Sequence, residues 1–168
     1  IKVADAENLP FPDNTFDLVY SWGVIHHSPD TIRAFEEILR VARPGGKIKI
    51  MIYNRKSLIT FYLYIKHGLL EFKPFRRISD ILYHHVESPG TKAYTISEVR
   101  NILEKYPVNI KKISAGLRKA ELKWIAPKYI RVLFYIIGFF RGFDRSGYFL
   151  TMDLEKTGEF KKTSEDAG

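Results

Sequence analysis

At 168 residues the chain has the length of one domain with a sizeable core, and its 45% apolar content is ordinary for a globular protein. The absence of cysteine excludes disulfides, zinc–thiolate sites and thiol nucleophiles. Lys and Arg number 27 against 19 Asp and Glu, and the net charge of +8 suits anionic partners such as phosphates, nucleotides or acidic lipid.

Ile1 to Ala4 reads as the end of a strand, with Asp5 just beyond it. No basic, apolar and small-residue order marks a signal peptide here, so a cytoplasmic protein is expected. Leu9 to Asn14 is a loop, because two prolines remove backbone donors and Asp13-Asn14 favours a turn. Phe16 to Trp22 is a nearly continuous apolar strand of the kind covered by helices on both faces. A loop carrying Gly23, His26 and His27 follows. Ser28-Pro29-Asp30 then opens a helix, with Ser28 as its cap. Ile32, Phe35, Ile38, Leu39 and Ala42 form its buried face, while Glu36, Glu37, Arg40 and Arg43 face water. Pro44-Gly45-Gly46 ends the helix, and Lys47 to Tyr53 is the next strand.

Residues 57 to 90 break the α/β alternation. Leu58–Leu70 and Phe75–Tyr83 are helical candidates separated by Gly68 and Pro74, in an aromatic-rich insert over the ligand-facing edge. Thr95 and Glu98 form a capping box for a helix whose core face is Val99, Ile102 and Leu103. Val108–Ser114 and Gly147–Leu154 read as strands, and Ala115–Lys128 as a basic, mostly polar connection. In Tyr129–Phe143 the apolar run Val132–Phe140 is far short of the roughly 18 residues of a membrane span. A buried helix is expected there, with a peripheral membrane contact near Lys119, Lys123 and Lys128 as the other reading. Residues 155–168 read as a flexible polar tail.

Three blocks in this order resemble the class I S-adenosylmethionine-dependent methyltransferases of the type 11 group, related to the ubiquinone and menaquinone methyltransferases. They are Asp5-Ala6-Glu7-Asn8-Leu9-Pro10-Phe11, Phe16-Asp17-Leu18-Val19 through His26-His27, and Glu37-Ile38-Leu39-Arg40-Val41-Ala42-Arg43-Pro44-Gly45-Gly46. The resemblance implies a Rossmann-like sheet with helices on both faces and an antiparallel last pair of strands. On that template residues 1 to 154 supply strands three to seven, with Ile1–Ala4 as the third, and lack the first two strands and the Gly-rich cofactor loop. The resemblance implies that residues 1 to 168 alone are expected to bind cofactor weakly or not at all and to be inactive.

The same resemblance assigns S-adenosylmethionine as cofactor, contacted by Asp5, Ala6, Ser21, Trp22 and Gly23. Asp5 would accept from the adenine amino group, as a carboxylate can only accept. Unaided by the neighbouring motifs, Asp5 reads as a turn cap. Trp22 either flanks the sulfonium, where an aromatic face favours a cation, or packs in the core. His26 and His27 are the base candidates, each with a structural loop role as its alternative. Tyr53, Asn54 and Arg55 are substrate candidates. No metal is expected, although His84-His85 with Glu87 forms a second cluster. The expected partner is a small-molecule acceptor, of lipid, isoprenoid or sugar-linked kind. The other function class is a non-catalytic binding module with a methyltransferase-like half-sheet. Nucleic acid is not expected, because the basic residues form no stripe interleaved with aromatics. Oligomeric state is left open.

Overall fold

A computed structural model describes residues 1–85 and 90–160. Five strands form one sheet: β1 Phe16–Trp22, β2 Ala42–Asn54, β3 Ala93–Tyr94, β4 Val108–Ser114 and β5 Phe149–Lys156. The order is β1-β2-β5-β4, with β3 also on β2. β1 and β2 are parallel, whereas β5 runs antiparallel to both β2 and β4. β3 pairs at Tyr53 and Asn54, extending the row that β1 leaves at Trp22. Carboxyl ends of β1, β2 and β4 therefore share one edge, where ligands bind in open α/β sheets.

Among the described residues, six α-helices cover the sheet: α1 Thr31–Val41, α2 Leu58–Tyr64, α3 Ile78–His85, α4 Ile96–Leu103, α5 Lys119–Ile125 and α6 Lys128–Arg141. On one face Ile48, Ile50 and Ile52 of β2 join a core with Phe35, Ile38 and Leu39 of α1 and Val99 and Leu103 of α4. On the other, Met51 and Tyr53 join Leu58, Leu63, Ile81, Leu122 and Phe134 of α2, α3, α5 and α6. The two-residue period of a strand sends alternate side chains to opposite layers, so β2 serves both cores.

Several expected elements take a different form. Ile1–Ala4 is not a strand: these residues are exposed and pair with nothing before an isolated bridge between Asp5 and Asn8. Asp30, not Ser28, caps α1, its Oδ1 accepting from Ile32 and Arg33 amides at 2.9 and 3.0 Å. Strand pairing resumes at Ala42, and Arg43–Gly46 bulge out between the pairs Phe16/Ala42 and Leu18/Lys47, with Gly45 at φ 78°. Gly68 does not separate helices but lies within a π-helical turn, Ile65–Leu69, that prolongs α2. The connection after β4 contains α5. The capping box is present, with Thr95 Oγ1 accepting from Glu98 N at 3.2 Å and Glu98 Oε2 from Thr95 N at 2.8 Å. Glu155 and Lys156 belong to β5, and Phe160 packs edge-on against Tyr106 at 5.6 Å. The remainder of the expected tail, 161–168, lies outside the described residues.

Candidate active site

The proline-punctuated loop hangs from α1. Glu37 is 2% exposed, contrary to its expected outward position. Its carboxylate takes Arg40 Nε and Nη2 at 2.9 and 2.7 Å, and Oε2 also accepts from Leu9 N at 2.8 Å. Arg40 then donates to the carbonyls of Leu9 and Phe11 at 2.9 and 2.7 Å, and to Asp13 at 2.8 Å. Donation to the Glu37 carboxylate holds the Arg40 guanidinium above its ordinary pKa. A charge pair out of water is favourable only when its remaining donors and acceptors are also met, and the loop backbone meets them. Further along, Glu7 Oε1 accepts from Asp30 N at 2.8 Å and Glu7 O from Arg33 Nε at 3.2 Å. Asp5 is exposed, and its Oδ1 accepts from Glu7 N at 2.9 Å.

Beside this loop a cleft of about 320 Å³ runs along β1. It brings Ala6 together with Ser21, Val24 and Ile25. The Ser21 hydroxyl is buried and has no hydrogen-bond partner among the described residues, so it can receive a ligand's polar atom. Gly23 holds φ 73° and donates to Met51 O at 3.1 Å, turning the chain sharply after β1. Trp22 is not a core residue: it is 39% exposed, stacks on Tyr20 at 5.5 Å and lies under Arg118 at 5.8 Å. A sulfonium at this ring would compete with that guanidinium.

The two histidines separate in character. His26 is fully buried in a 3₁₀ turn, Ile25–His27, against His27 and Tyr53 at ring distances of 4.3 and 4.2 Å. Neither ring nitrogen has a hydrogen-bond partner among the described residues. Burial, aided by the His27 charge, lowers its pKa from 6.5 to about 3, so it is neutral throughout the physiological range. His27 is half-buried, with Nδ1 2.9 Å from Thr91 Oγ1.

Tyr53 is buried, stacked on Tyr148 at 4.6 Å. Asn54 is a structural clamp: Nδ2 donates to Gly147 O and Arg145 O at 2.9 and 3.3 Å, and Oδ1 accepts from Lys56 N at 3.1 Å. With both amide protons used by the chain, it has no donor left for a substrate. Arg55 is exposed, pairs with Glu98, and lines a second cleft of about 560 Å³ with Thr91, Tyr94 and Leu82. Thr91 was not singled out by sequence, since its partner is 64 residues distant. Glu121 was likewise missed. It is buried, accepts from Tyr148 N at 3.0 Å, and burial raises its pKa.

Among the described residues one group, His67, Glu71 and His85, has ligand atoms close enough for a metal. Glu71 already pairs with His67 at 2.7 Å and with Lys73 and Arg76 at 3.4 and 3.7 Å, and those cations oppose a metal ion. Glu87 of the expected cluster lies outside the described residues.

Residues 1–50 match the family model of the methyltransferase domain. A phosphoethanolamine N-methyltransferase of Caenorhabditis elegans is 34% identical over 83 residues, covering 48% of this chain and 19% of that protein. A demethylmenaquinone methyltransferase of Bacillus cereus is 30% identical over 128 residues, covering 71% of this chain and 48% of that protein. The chain thus spans less than half the length of these curated relatives. An S-adenosylmethionine-dependent methyltransferase from Thermotoga maritima superposes with TM-score 0.59 at 22% identity, over 91% of this chain and 62% of that one. The fold is that of the class I S-adenosylmethionine-dependent methyltransferases. In sequence, the first fifty residues are similar to the methyltransferase domain family.

Proposed function

We propose that this chain provides the adenine rim and the acceptor side of an S-adenosylmethionine-dependent methyltransferase acting on a small, largely apolar molecule. One observation carries the reading: the Ile25–His27 turn stands between two clefts. Ile25 lines the cleft with Ala6 and Ser21, while His27 bonds Thr91 of the cleft with Arg55. A methyl donor on one side and an acceptor on the other would meet at that turn.

When bound, S-adenosylmethionine supplies a methyl group on a sulfonium, already a strong electrophile, so alignment and exclusion of water do much of the work. Asp5 would accept from the adenine amino group and the Ala6 amide would donate to a ring nitrogen. The Ser21 hydroxyl would take a polar atom of the same ligand. Arg55 would orient the acceptor. His27, oriented by Thr91, would receive the acceptor's proton as the acceptor atom bonds to the methyl carbon and the carbon–sulfur bond breaks. His26, buried and neutral, would only back the turn.

Leu82 and Tyr94 on the second cleft, with the aromatic insert around it, favour a lipid or isoprenoid-type acceptor over a sugar-linked one. The test is transfer of a labelled methyl from S-adenosylmethionine, by the whole protein rather than residues 1–168 alone, to a panel holding an isoprenoid hydroquinone, a phenol with an isoprenoid tail, phosphoethanolamine and a glycoside. Label in the apolar ring acceptors supports the reading. Label in none of them, with S-adenosylhomocysteine still bound, overturns it in favour of a non-catalytic binding module.

A further inference from the structure

Helix α6 breaks the usual rule for a surface helix. Stepping about 100° per residue, Phe139, Val132, Ile136, Tyr129, Phe140 and Leu133 fall within one arc of about 120°. All six are exposed, Tyr129 and Phe139 at 73% and Phe140 at 83%. The opposite side is the one used by the core: Phe134 is buried edge-on to Tyr62 at 6.1 Å, and a Cβ on Gly138 would meet the Phe143 ring at 3.1 Å. The helix is therefore apolar all round, with one side turned outward. A contiguous exposed patch of bulky apolar residues marks an interaction surface.

The charge around it selects the partner. No acidic residue occurs in α6, which begins at Lys128, carries Arg131 in its first turn and ends at Arg141. On α5, Lys119 and Lys123 are exposed one turn apart, whereas the only acid there, Glu121, points inward to Tyr148 N. Among the described residues none of these five cations is in an ion pair. A two-fold contact with a second copy would set cation against cation, whether the helices ran parallel or antiparallel. An anionic lipid surface meets both features: acyl chains and headgroup boundary receive the aromatics, and acidic headgroups receive the lysines. No described helix is long and apolar enough to cross a membrane, so α6 would lie in the plane of the interface.

We infer that the Tyr129–Phe140 face of α6, with Lys119, Lys123 and Lys128, docks this protein on anionic membranes. This surface does not depend on methyl transfer. The test is co-sedimentation with phosphatidylglycerol-containing vesicles and with vesicles of phosphatidylcholine alone. Binding is expected to be at least about tenfold stronger to the anionic vesicles and to weaken as salt is raised. Phe139→Ser/Phe140→Ser and, separately, Lys119→Gln/Lys123→Gln/Lys128→Gln should each weaken it at least about tenfold with unchanged circular dichroism. Because all five substituted side chains are exposed, neither variant should disturb the core. Absence of binding to anionic vesicles overturns the inference, as does equal binding to both vesicle types. A dimer in size-exclusion chromatography that Phe139→Ser/Phe140→Ser converts to monomer overturns it too, assigning the face to a second copy.

Discussion

Buried Glu37 and half-buried Arg40 form a two-pronged pair whose remaining polar atoms hold the loop backbone at Leu9 and Phe11. The pair lies on α1, and under the proposed function its consequence reaches Asp5 and Ala6 just before that loop, where the adenine would sit. Glu37→Gln leaves the partly buried guanidinium with exposed Asp13 as its remaining carboxylate partner. The expected loss is about 3 kcal/mol, or a fall in Tm of about 10 °C. Thermal and urea unfolding check it, and a change under about 0.5 kcal/mol would mean that the loop is held by other contacts.

His26 sets a pH dependence. Its folded-state pKa lies near 3, below the unfolded value of 6.5, so the unfolded chain binds the extra proton between those limits. Its contribution to stability is complete above about pH 6.5 and is lost as pH falls towards 3, at up to about 1.4 kcal/mol per pH unit. His26→Phe, which fills the same apolar space and removes no hydrogen bond seen among the described residues, should flatten that limb in urea titrations at successive pH values.

Thr91 tests the acid–base assignment. Thr91→Val removes the hydroxyl 2.9 Å from His27 Nδ1 while keeping the shape. Under the proposed role of His27, kcat of the whole protein should fall about tenfold with S-adenosylhomocysteine affinity unchanged. His27→Ala should cost about a hundredfold. Loss of affinity without a kcat change would give His27 a binding role instead.

Gly147 is a packing requirement. A Cβ there would lie 2.0 Å from Gly116 O and 2.9 Å from Ala115 O, and both atoms are backbone. Asn54 Nδ2 also grips Gly147 O at 2.9 Å. Gly147→Ala should destabilise the chain by about 3 kcal/mol or more, measured by urea unfolding.

What was legible in the sequence was local. Periodicity located β1, α1, β4 and the capping box at Thr95 and Glu98, because those signals lie within a few residues. A helical wheel turns Glu37 and Arg40 towards solvent, since it cannot see a loop 28 residues earlier folding back over them. The pairing of His27 with Thr91 and the clamp from Asn54 to Gly147 were hidden for the same reason, bridging 64 and 93 residues. Trp22 was offered both a cofactor and a core role. Its exposed position under Arg118, the residue just before α5, depends on a contact distant in sequence that no local pattern encodes.

The central claim is that the Glu37–Arg40 clamp presents Asp5 and Ala6 as an adenine rim beside Ser21. Its most direct test is an amide-resolved NMR titration of residues 1–168 with S-adenosylhomocysteine, which registers even weak binding. Saturating shifts at Ala6 and Ser21, lost in Asp5→Ala and reduced in Glu37→Gln, are predicted. Unmoved Ala6 and Ser21 amides, or identical titrations in the parent chain and Asp5→Ala, would contradict it.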